Sequence, residues 1–192
     1  MHQSPETVAL KRHVIGTLIP AGTRVELPEG AQARVTQALG GSYTIQVEGH
    51  LFRIEGKDAD ALGRDPATAP ELAADASDAD IEQAVWEQLR TCYDPEIPIN
   101  IVELGLVYEC KLEHLPDNDN KSAAGAGGGR RAVIRMTLTA PGCGMGDILV
   151  ADAKSKVLQV PGVTEADVQL TFDPPWTQDR MSEAARLSSG LM

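Results

Sequence analysis

The sequence has few cysteines, and none of them is arranged for a disulfide framework or a zinc site. Cysteines occur only at positions 92, 110 and 143, and an odd number at such wide spacing predicts no set of disulfides. No C-x-x-C pair is present, and the four histidines are scattered along the chain. Because tetrahedral zinc sites usually take their ligands in close pairs, we expect no closed zinc site within one chain. In a reducing compartment all three cysteines are expected to be free thiols.

Long apolar segments and clusters of basic residues are also missing. No run approaches the ~20 apolar residues that span a bilayer, and no signal peptide is apparent, so we expect a cytoplasmic protein. The formal net charge of -11 argues against binding to nucleic acid, because that function needs Lys and Arg to neutralise phosphates. Acidic membranes would repel the chain for the same reason. With 42% hydrophobic and 23% charged residues, the composition is that of a globular protein.

Residues 1–63 are predicted to form a small all-β domain. Short alternating runs are separated by Pro and Gly, which is typical of strands joined by turns. Gly40 and Gly41 stand between two such runs and predict a hairpin turn with positive φ at both positions. About five short strands of this kind indicate a small barrel or meander. Residues 64–76, rich in Ala, Asp and Pro, are predicted to be a linker.

Residues 77–192 are predicted to form a second domain with the order α-β-β-α-β-α. The first helix is expected to begin at Ser77 or Asp78 and to end near Tyr93, because the residue before Pro95 disfavours helix. The two following strands are expected at 106–112 and 133–139, and the last at about 168–172. An antiparallel hairpin followed by a parallel crossover predicts a mixed sheet with helices on one face. The expected fold class is therefore α+β.

Cys143 stands in a Gly-rich turn, residues 141–146, between a predicted strand and a predicted helix. At such a junction backbone N–H groups point outward and the helix dipole favours negative charge, which stabilises a thiolate. Flanking glycines leave the sulfur accessible. Cys143 is therefore predicted to be a functional thiol, with a buried structural role as the alternative. Cys110, on the apolar face of a strand, and Cys92, at a helix end, are expected to be structural.

A phosphate-binding loop is a weaker interpretation of the same glycines. The spacing is G-x-G-x-G rather than G-x-G-x-x-G, and Asp147 places negative charge where a pyrophosphate would lie. No G-x-x-x-x-G-K-[ST] motif occurs, so ATP hydrolysis is not predicted.

The segment 93–108 combines acids with two prolines. Asp94, Glu96 and Glu103 provide three carboxylates and Asn100 an amide. Composition alone favours a capped helix end with solvated acids. The order of the residues, however, resembles the D-P-E-x-P-x-N-I-V-[DE]-L-G-L-[VI]-Y signature of the small iron–sulfur assembly domain of SufT-type proteins. That domain also occurs in the cytosolic iron–sulfur targeting factor and in PaaD.

Further segments extend the resemblance over nearly the whole chain. Residues 136–146 are similar to the second motif of that family, whose cysteine is its reactive residue. Residues 172–176, 179–187, 40–43 and 56–63 resemble SufT-type proteins in particular. The expanded Gly/Ala loop at 121–129 departs from the pattern.

The resemblance implies an accessory factor, rather than an enzyme, in the assembly, transfer or maintenance of iron–sulfur clusters. Cys143 would act as a transient ligand or a docking point. Because clusters normally take four ligands, we expect none to be tightly bound, with a transient or homodimer-bridging cluster as the alternative. The implied partners are iron–sulfur scaffold or carrier proteins and apo iron–sulfur proteins. The expected supporting residues are Asp94, Glu96, Asn100, Glu103, Thr137, Thr139, Gly142 and Gly144.

Two other functions stay open at this point. A thiol-dependent enzyme would need a base or a resolving partner for Cys143, for which His114 and Cys110 are the candidates. A pure interaction adaptor would bind its partner through the β-rich domain.

Overall fold

The computed structural model describes residues 6–94, 97–116, 129–140 and 146–189. They form two compact units, an N-terminal unit mainly of residues up to Thr68 and a C-terminal unit mainly of residues from Ala69 onward. The finer domain boundaries, 1–63, 64–76 and 77–192, stay predictions. Among the helices of these described ranges, none is both long and apolar enough to cross a membrane.

The N-terminal unit is a six-stranded antiparallel sheet. Its strand order is β1-β4-β5-β6-β2-β3, which is one strand more than the roughly five that were predicted. The first strand is short and largely exposed, so it carries little of the apolar alternation that predicts a strand. The strands are β1 Glu6–Ala9, β2 Val14–Ile19, β3 Arg24–Leu27, β4 Gln32–Leu39, β5 Ser42–Val47 and β6 His50–Ile54.

Two-residue turns join the central strands of this sheet. Gly40 and Gly41 have φ angles of 59° and 73° and connect β4 to β5, which confirms the predicted hairpin. Such turns match the twist of the strands but need positive φ at both central positions, where glycine carries no strain.

One face of the sheet supplies the core of the N-terminal unit. Val35, Ile45 and Phe52 are in register across three strands and all three are buried. A short 3₁₀ helix, Gly56–Leu62, adds further buried side chains to the same unit, and the N–H of Lys11 binds its Ala61 carbonyl at 2.8 Å. Period-two burial along neighbouring strands is what holds a half-covered sheet in register.

The C-terminal unit has the predicted α-β-β-α-β-α order. Its three-stranded sheet has the order β7-β8-β9, with β7 antiparallel and β9 parallel to β8. The α+β class and the mixed sheet are therefore confirmed. The elements are α1 Asp78–Leu89, β7 Val107–His114, β8 Arg130–Met136, α2 Gly146–Val157, β9 Val163–Leu170 and α3 Glu183–Ser189.

The two faces of this sheet differ sharply in polarity. Cys110 and Ile134 are buried and in register with Val168. On the other face Arg131 pairs with Glu165 at 2.7 Å, and Arg135 lies 3.7 Å from Glu109. Opposite charges on facing strands stabilise the exposed side while the apolar side packs. This is the one-sided burial expected of a sheet with one solvated face.

Helix α1 begins at the predicted cap and ends earlier than predicted. Ser77 and Asp80 form a capping box, in which each side chain binds the other's backbone N–H. The helix ends at Leu89 rather than near Tyr93, because the Cys92 carbonyl accepts a hydrogen bond from the N–H of Ile101 at 2.9 Å. Backbone pairing with a later segment has replaced the last helical turn.

Strand β8 is shifted towards the N-terminus by comparison with the predicted 133–139. It starts at Arg130 because the backbones of Arg130 and Arg131 already pair with β7 and β9, and their side chains bind Asp78 and Glu165. Thr137 and Thr139 follow the strand and belong to the segment that leads towards Cys143.

Candidate functional site

Residues 100–106, called the signature turn from here on, form a turn capped by Asn100. The Asn100 Oδ1 accepts hydrogen bonds from the N–H groups of Val102 (3.1 Å) and Glu103 (2.9 Å). Leu104 N–H donates to the Asn100 carbonyl and Leu106 N–H to the Ile101 carbonyl. An asparagine side chain that binds the N–H groups two and three residues later is a local cap. Asn100 therefore acts by shaping the backbone.

The chain before the signature turn doubles back on itself. Tyr93 forms a bridge with Asn100, and Asp94 N–H donates to the Ile99 carbonyl at 3.4 Å. Asp94 is only 7% exposed, so it is a buried residue of this segment. Glu96 lies outside the described residues.

The signature turn and the end of β8 lie at the same edge of the C-terminal sheet. Thr137 N–H donates to the Leu106 carbonyl at 2.8 Å, and Thr137 is fully buried. Thr139 is half-buried two residues further on. Asn100, Glu103, Thr137 and Thr139 therefore belong to one edge of the sheet. The three predicted residues of the glycine turn, Gly142, Cys143 and Gly144, lie outside the described residues.

The two described cysteines are core residues, as predicted. Cys92 is fully buried, and its thiol lies 3.7 Å from the Gln88 carbonyl. Cys110 is 8% exposed; burial, with a smaller contribution from Glu82, raises the pKa of its thiol to about 12. At neutral pH this thiol is protonated and is a poor nucleophile and metal ligand.

His114 lies at the opposite end of the sheet from the signature turn. It pairs with Arg130, the first residue of β8, whereas Val107 pairs with Met136, the last. Seven residues of strand separate the two ends by about 20 Å. His114 Nε2 is 2.8 Å from Asp78 Oδ2, and Arg130 donates to the other oxygen of the same carboxylate. These hydrogen bonds lower the pKa of Asp78. They join the start of α1 to the sheet.

Helix α2, which begins directly after the glycine turn, is joined to the end of α1. Lys156 is buried; its ammonium group binds the Thr91 carbonyl and lies 3.5 Å from Asp152 one turn earlier. A buried ammonium group needs such partners to offset its desolvation. Over the ranges that the structure describes, no group of three or more His, Cys, Asp or Glu side chains could hold a metal ion.

Sequence reasoning did not assign roles to three residues that contact the signature turn or lie beside it. Trp176 Nε1–H donates to the Leu104 carbonyl at 2.8 Å, and Tyr108 O–H donates to the Pro174 carbonyl at 2.8 Å. The Arg180 guanidinium lies 4.2 Å from the centre of the Tyr108 ring. All three belong to segments that resemble the family, but a motif does not indicate which backbone atom a side chain binds.

The fold and this edge define a small α+β unit in which a turn capped by Asn100 lies beside the strand that leads to a glycine-flanked cysteine. A family model described as "Iron-sulfur cluster assembly protein" matches residues 82–121. This stretch includes the signature turn and β7.

Three curated relatives match about half of the chain. A protein of Porphyromonas gingivalis named Fe-S protein maturation auxiliary factor is 40% identical over 111 residues, which are 58% of this chain and 92% of the relative. YitW of Bacillus subtilis, which has the same description, is 32% identical over 111 residues, which are 58% of this chain and 95% of the relative. SufT of Staphylococcus aureus, with the same description, is 33% identical over 98 residues, 51% of this chain and 96% of the relative.

The chain therefore belongs to the iron–sulfur cluster assembly family. The family resemblance predicted from the motifs of the C-terminal unit is confirmed. These relatives are covered almost completely by a match to about half of this chain. The resemblance of the N-terminal unit to SufT-type proteins stays a prediction.

Proposed function

We propose that this chain is an accessory factor in the assembly, transfer or maintenance of iron–sulfur clusters, and that Cys143 is its working thiol. Family membership supports a role in cluster assembly. The relatives' names, Fe-S protein maturation auxiliary factors, support an accessory role rather than an enzymatic one. Cytoplasmic location stays a prediction from the sequence.

We choose Cys143 as the working thiol because the other two cysteines are buried. Cys92 and Cys110 are enclosed in the core of the C-terminal unit, and the Cys110 thiol has a strongly raised pKa. Cluster iron binds thiolate, so a buried and protonated thiol is a poor candidate ligand. Cys143 is supported instead by its glycine neighbours and its position between β8 and α2 in the sequence.

One thiolate supplies at most one of the four ligands that a cluster normally takes. In our proposal Cys143 gives up its proton on binding iron, and a scaffold or carrier protein supplies the remaining ligands. A homodimer that shares a cluster between two copies of Cys143 is the alternative arrangement. In both cases the cluster is cargo that passes to an apo iron–sulfur protein.

The polar residues of the 93–108 segment have different roles in this proposal. Asp94 is buried and Asn100 caps the signature turn, so both are assigned to shaping the edge. Glu103 is half-buried, and it is the described carboxylate of the signature turn that we assign to partner contact. A thiol-dependent enzyme receives less support, because His114 lies at the far end of β8 and Cys110 is a core residue.

Anaerobic purification of wild type, Cys143→Ser and Cys110→Ala tests the role of the thiol. Each protein is incubated with a cluster-loaded scaffold and analysed for iron, sulfide and visible absorption, and the activation rate of an apo iron–sulfur enzyme is measured. We expect Cys143→Ser to lose most of the activation and Cys110→Ala to keep it.

Cluster absorption in the wild type that Cys143→Ser lacks would assign Cys143 as a ligand, whereas activation without bound cluster would assign it as a docking point. Sedimentation of the loaded protein distinguishes a bridged dimer from a monomer. Equal activation by wild type and Cys143→Ser would contradict the proposal.

A further inference from the structure

The chain after β9 returns to the signature turn. Residues 171–189, called the C-terminal strap from here on, begin where Thr171 N–H donates to the Met136 carbonyl at the end of β8. Three residues later the Pro174 carbonyl accepts the hydrogen bond from Tyr108 O–H. The strap therefore passes from β9 to the start of β7. Since β8 lies between these two strands, the strap crosses the edge at which β8 ends.

Two further hydrogen bonds join the strap to the backbone of the signature turn. Trp176 Nε1–H donates to the Leu104 carbonyl at 2.8 Å, and Ser182 N–H donates to the Glu103 carbonyl at 2.9 Å. These carbonyls belong to successive residues next to the Asn100 cap. Asn100 thus accepts from the first N–H groups of the turn, and the strap donates to the carbonyls that follow them.

Arg180 contacts both the start of β7 and the signature turn. Its guanidinium group lies over the Tyr108 ring, 4.2 Å from the centre, an arrangement in which the cation is attracted to the ring face. Its carbonyl oxygen is so close to Gly105 that a Cβ on Gly105 would lie 2.1 Å away. The backbones of the strap and the turn therefore meet at van der Waals contact where Gly105 has no side chain.

The strap has separate apolar anchors. Met181 and Ala185 are 4% and 3% exposed, and their burial stabilises the strap through the hydrophobic effect. The contacts of Tyr108, Trp176 and Arg180 are directional instead, and they join the strap to the signature turn and to the adjoining start of β7. A single side-chain hydrogen bond adds little net stability, so these contacts serve geometry more than global stability.

We propose that the C-terminal strap is a positioning element that holds the signature turn in register with the end of β8, with Tyr108 and Trp176 as its positioning residues. The inference rests on the proposed function, in which this edge presents Glu103 and the strand leading to Cys143. A loosened strap would leave the sheet intact while the turn moves relative to that strand.

The test uses variants that remove one hydrogen bond each and keep an aromatic ring. Tyr108→Phe and Trp176→Phe are made singly and together in the full chain. Tyr43→Phe is the matched tyrosine control, since Tyr43 also has an arginine, Arg64, over its ring. Trp86→Phe is the matched tryptophan control.

Amide hydrogen exchange measures the positioning directly. In the double variant we expect exchange at Leu106 and Thr137, whose N–H groups bond across the turn and the edge, to accelerate at least tenfold. Exchange at Cys110 and Ile134 in the middle of the sheet should stay within twofold. The activation rate of an apo iron–sulfur enzyme should fall at least fivefold, while both control variants match the wild type.

Three results would overturn the proposal. Exchange that accelerates equally throughout the C-terminal unit would show that the contacts only add global stability. Unchanged exchange at Leu106 and Thr137 would show that the strap does not hold the edge. Faster exchange at Leu106 and Thr137 with unchanged activation of the apo enzyme would show that activation does not depend on holding the turn in place. A wild-type protein that fails to activate the enzyme would instead refute the proposed function, and the exchange data would still decide whether the strap holds the turn.

Discussion

The two units of this chain hold their loops in different ways. In the N-terminal unit the turn at Gly40 and Gly41 closes between paired residues of adjacent strands, so its geometry follows from the ladder around it. In the C-terminal unit the Leu104 carbonyl of the signature turn accepts a hydrogen bond from Trp176, 72 residues away. The Pro174 carbonyl of the strap likewise accepts one from Tyr108, 66 residues away. Strand pairing defines the loop of the N-terminal unit, whereas in the C-terminal unit contacts with distant residues add to the local cap of Asn100.

In our proposal the functional surface belongs to the C-terminal unit. Functional residues are commonly found on loops that a rigid scaffold positions. The signature turn fits that description, because two of its N–H groups donate to the Asn100 side chain and two of its carbonyls accept from Trp176 and Ser182. Substitutions in the signature turn should therefore have larger effects than equivalent ones in the hairpin turns of the N-terminal unit.

Alanine at Gly105 and at Gly22 should give the largest contrast between the units. Both glycines have positive φ, 68° and 71°, but a Cβ at Gly22 meets nothing within 4 Å whereas one at Gly105 meets the Arg180 carbonyl. Alanine in this conformation costs about 1–2 kcal/mol, and the clash should raise the cost at Gly105 to about 3 kcal/mol or more.

Urea unfolding followed by tryptophan fluorescence measures the Gly105→Ala effect, because both tryptophans, Trp86 and Trp176, belong to the C-terminal unit. Amide exchange measures the effect of Gly22→Ala in the N-terminal unit. Similar losses for the two variants would contradict the close contact between strap and turn.

Asn100→Ala should have the next largest effect. It removes the acceptor of two backbone N–H groups, and loss of such a cap costs about 1–2 kcal/mol. Asn100→Asp keeps an acceptor oxygen and should retain most of the stability. Thr36→Val is the comparison in the N-terminal unit: it removes one bond to the Thr44 carbonyl and should cost about 1 kcal/mol or less. Equal losses for Asn100→Ala and Asn100→Asp would show that the cap is unimportant.

The acid dependence of stability should differ least between the units. Hydrogen bonds from Arg130 and His114 lower the pKa of Asp78 in the C-terminal unit, and the Arg12 guanidinium lowers that of Asp60 in the N-terminal unit. A carboxylate with a lowered folded pKa stabilises the fold fully above its unfolded pKa, about 3.9. That contribution is lost as the pH falls through the folded pKa.

Asp78→Asn and Asp60→Asn should therefore each weaken the fall in stability of their own unit on acidification below about pH 4. Because both pairs are exposed, the effects should be small and should shrink in high salt. Urea midpoints between neutral and acid pH, with and without salt, measure them. An unchanged acid dependence in either variant would show that its pair contributes nothing.

The regular parts of both units could be predicted from the sequence. Alternating apolar residues and the Gly40-Gly41 pair predicted the N-terminal strands, and the helical spacing of Ile81, Val85 and Leu89 predicted α1. These patterns report burial on one face, which is a local property of a strand or helix. The same reasoning identified Cys92 and Cys110 as core residues.

The boundaries and the strap contacts could not be predicted in the same way. The strand was predicted to begin at residue 133, but Arg130 and Arg131 also belong to it, and their side chains pair with Asp78 and Glu165. The helix α1 stopped short because the backbone at Cys92 pairs with Ile101. Bonds between a side chain and a distant carbonyl leave no periodic trace in the sequence, so the role of Trp176 emerges only from the three-dimensional structure.

The central claim is that Cys143, rather than either buried thiol, does the work of this protein. Its most direct test is the activity of iron–sulfur enzymes in cells whose copy of this gene is replaced by Cys143→Ser or Cys110→Ala, at matched protein levels. We predict that Cys143→Ser behaves as a deletion while Cys110→Ala stays close to wild type. Full enzyme activity with Cys143→Ser would contradict the account.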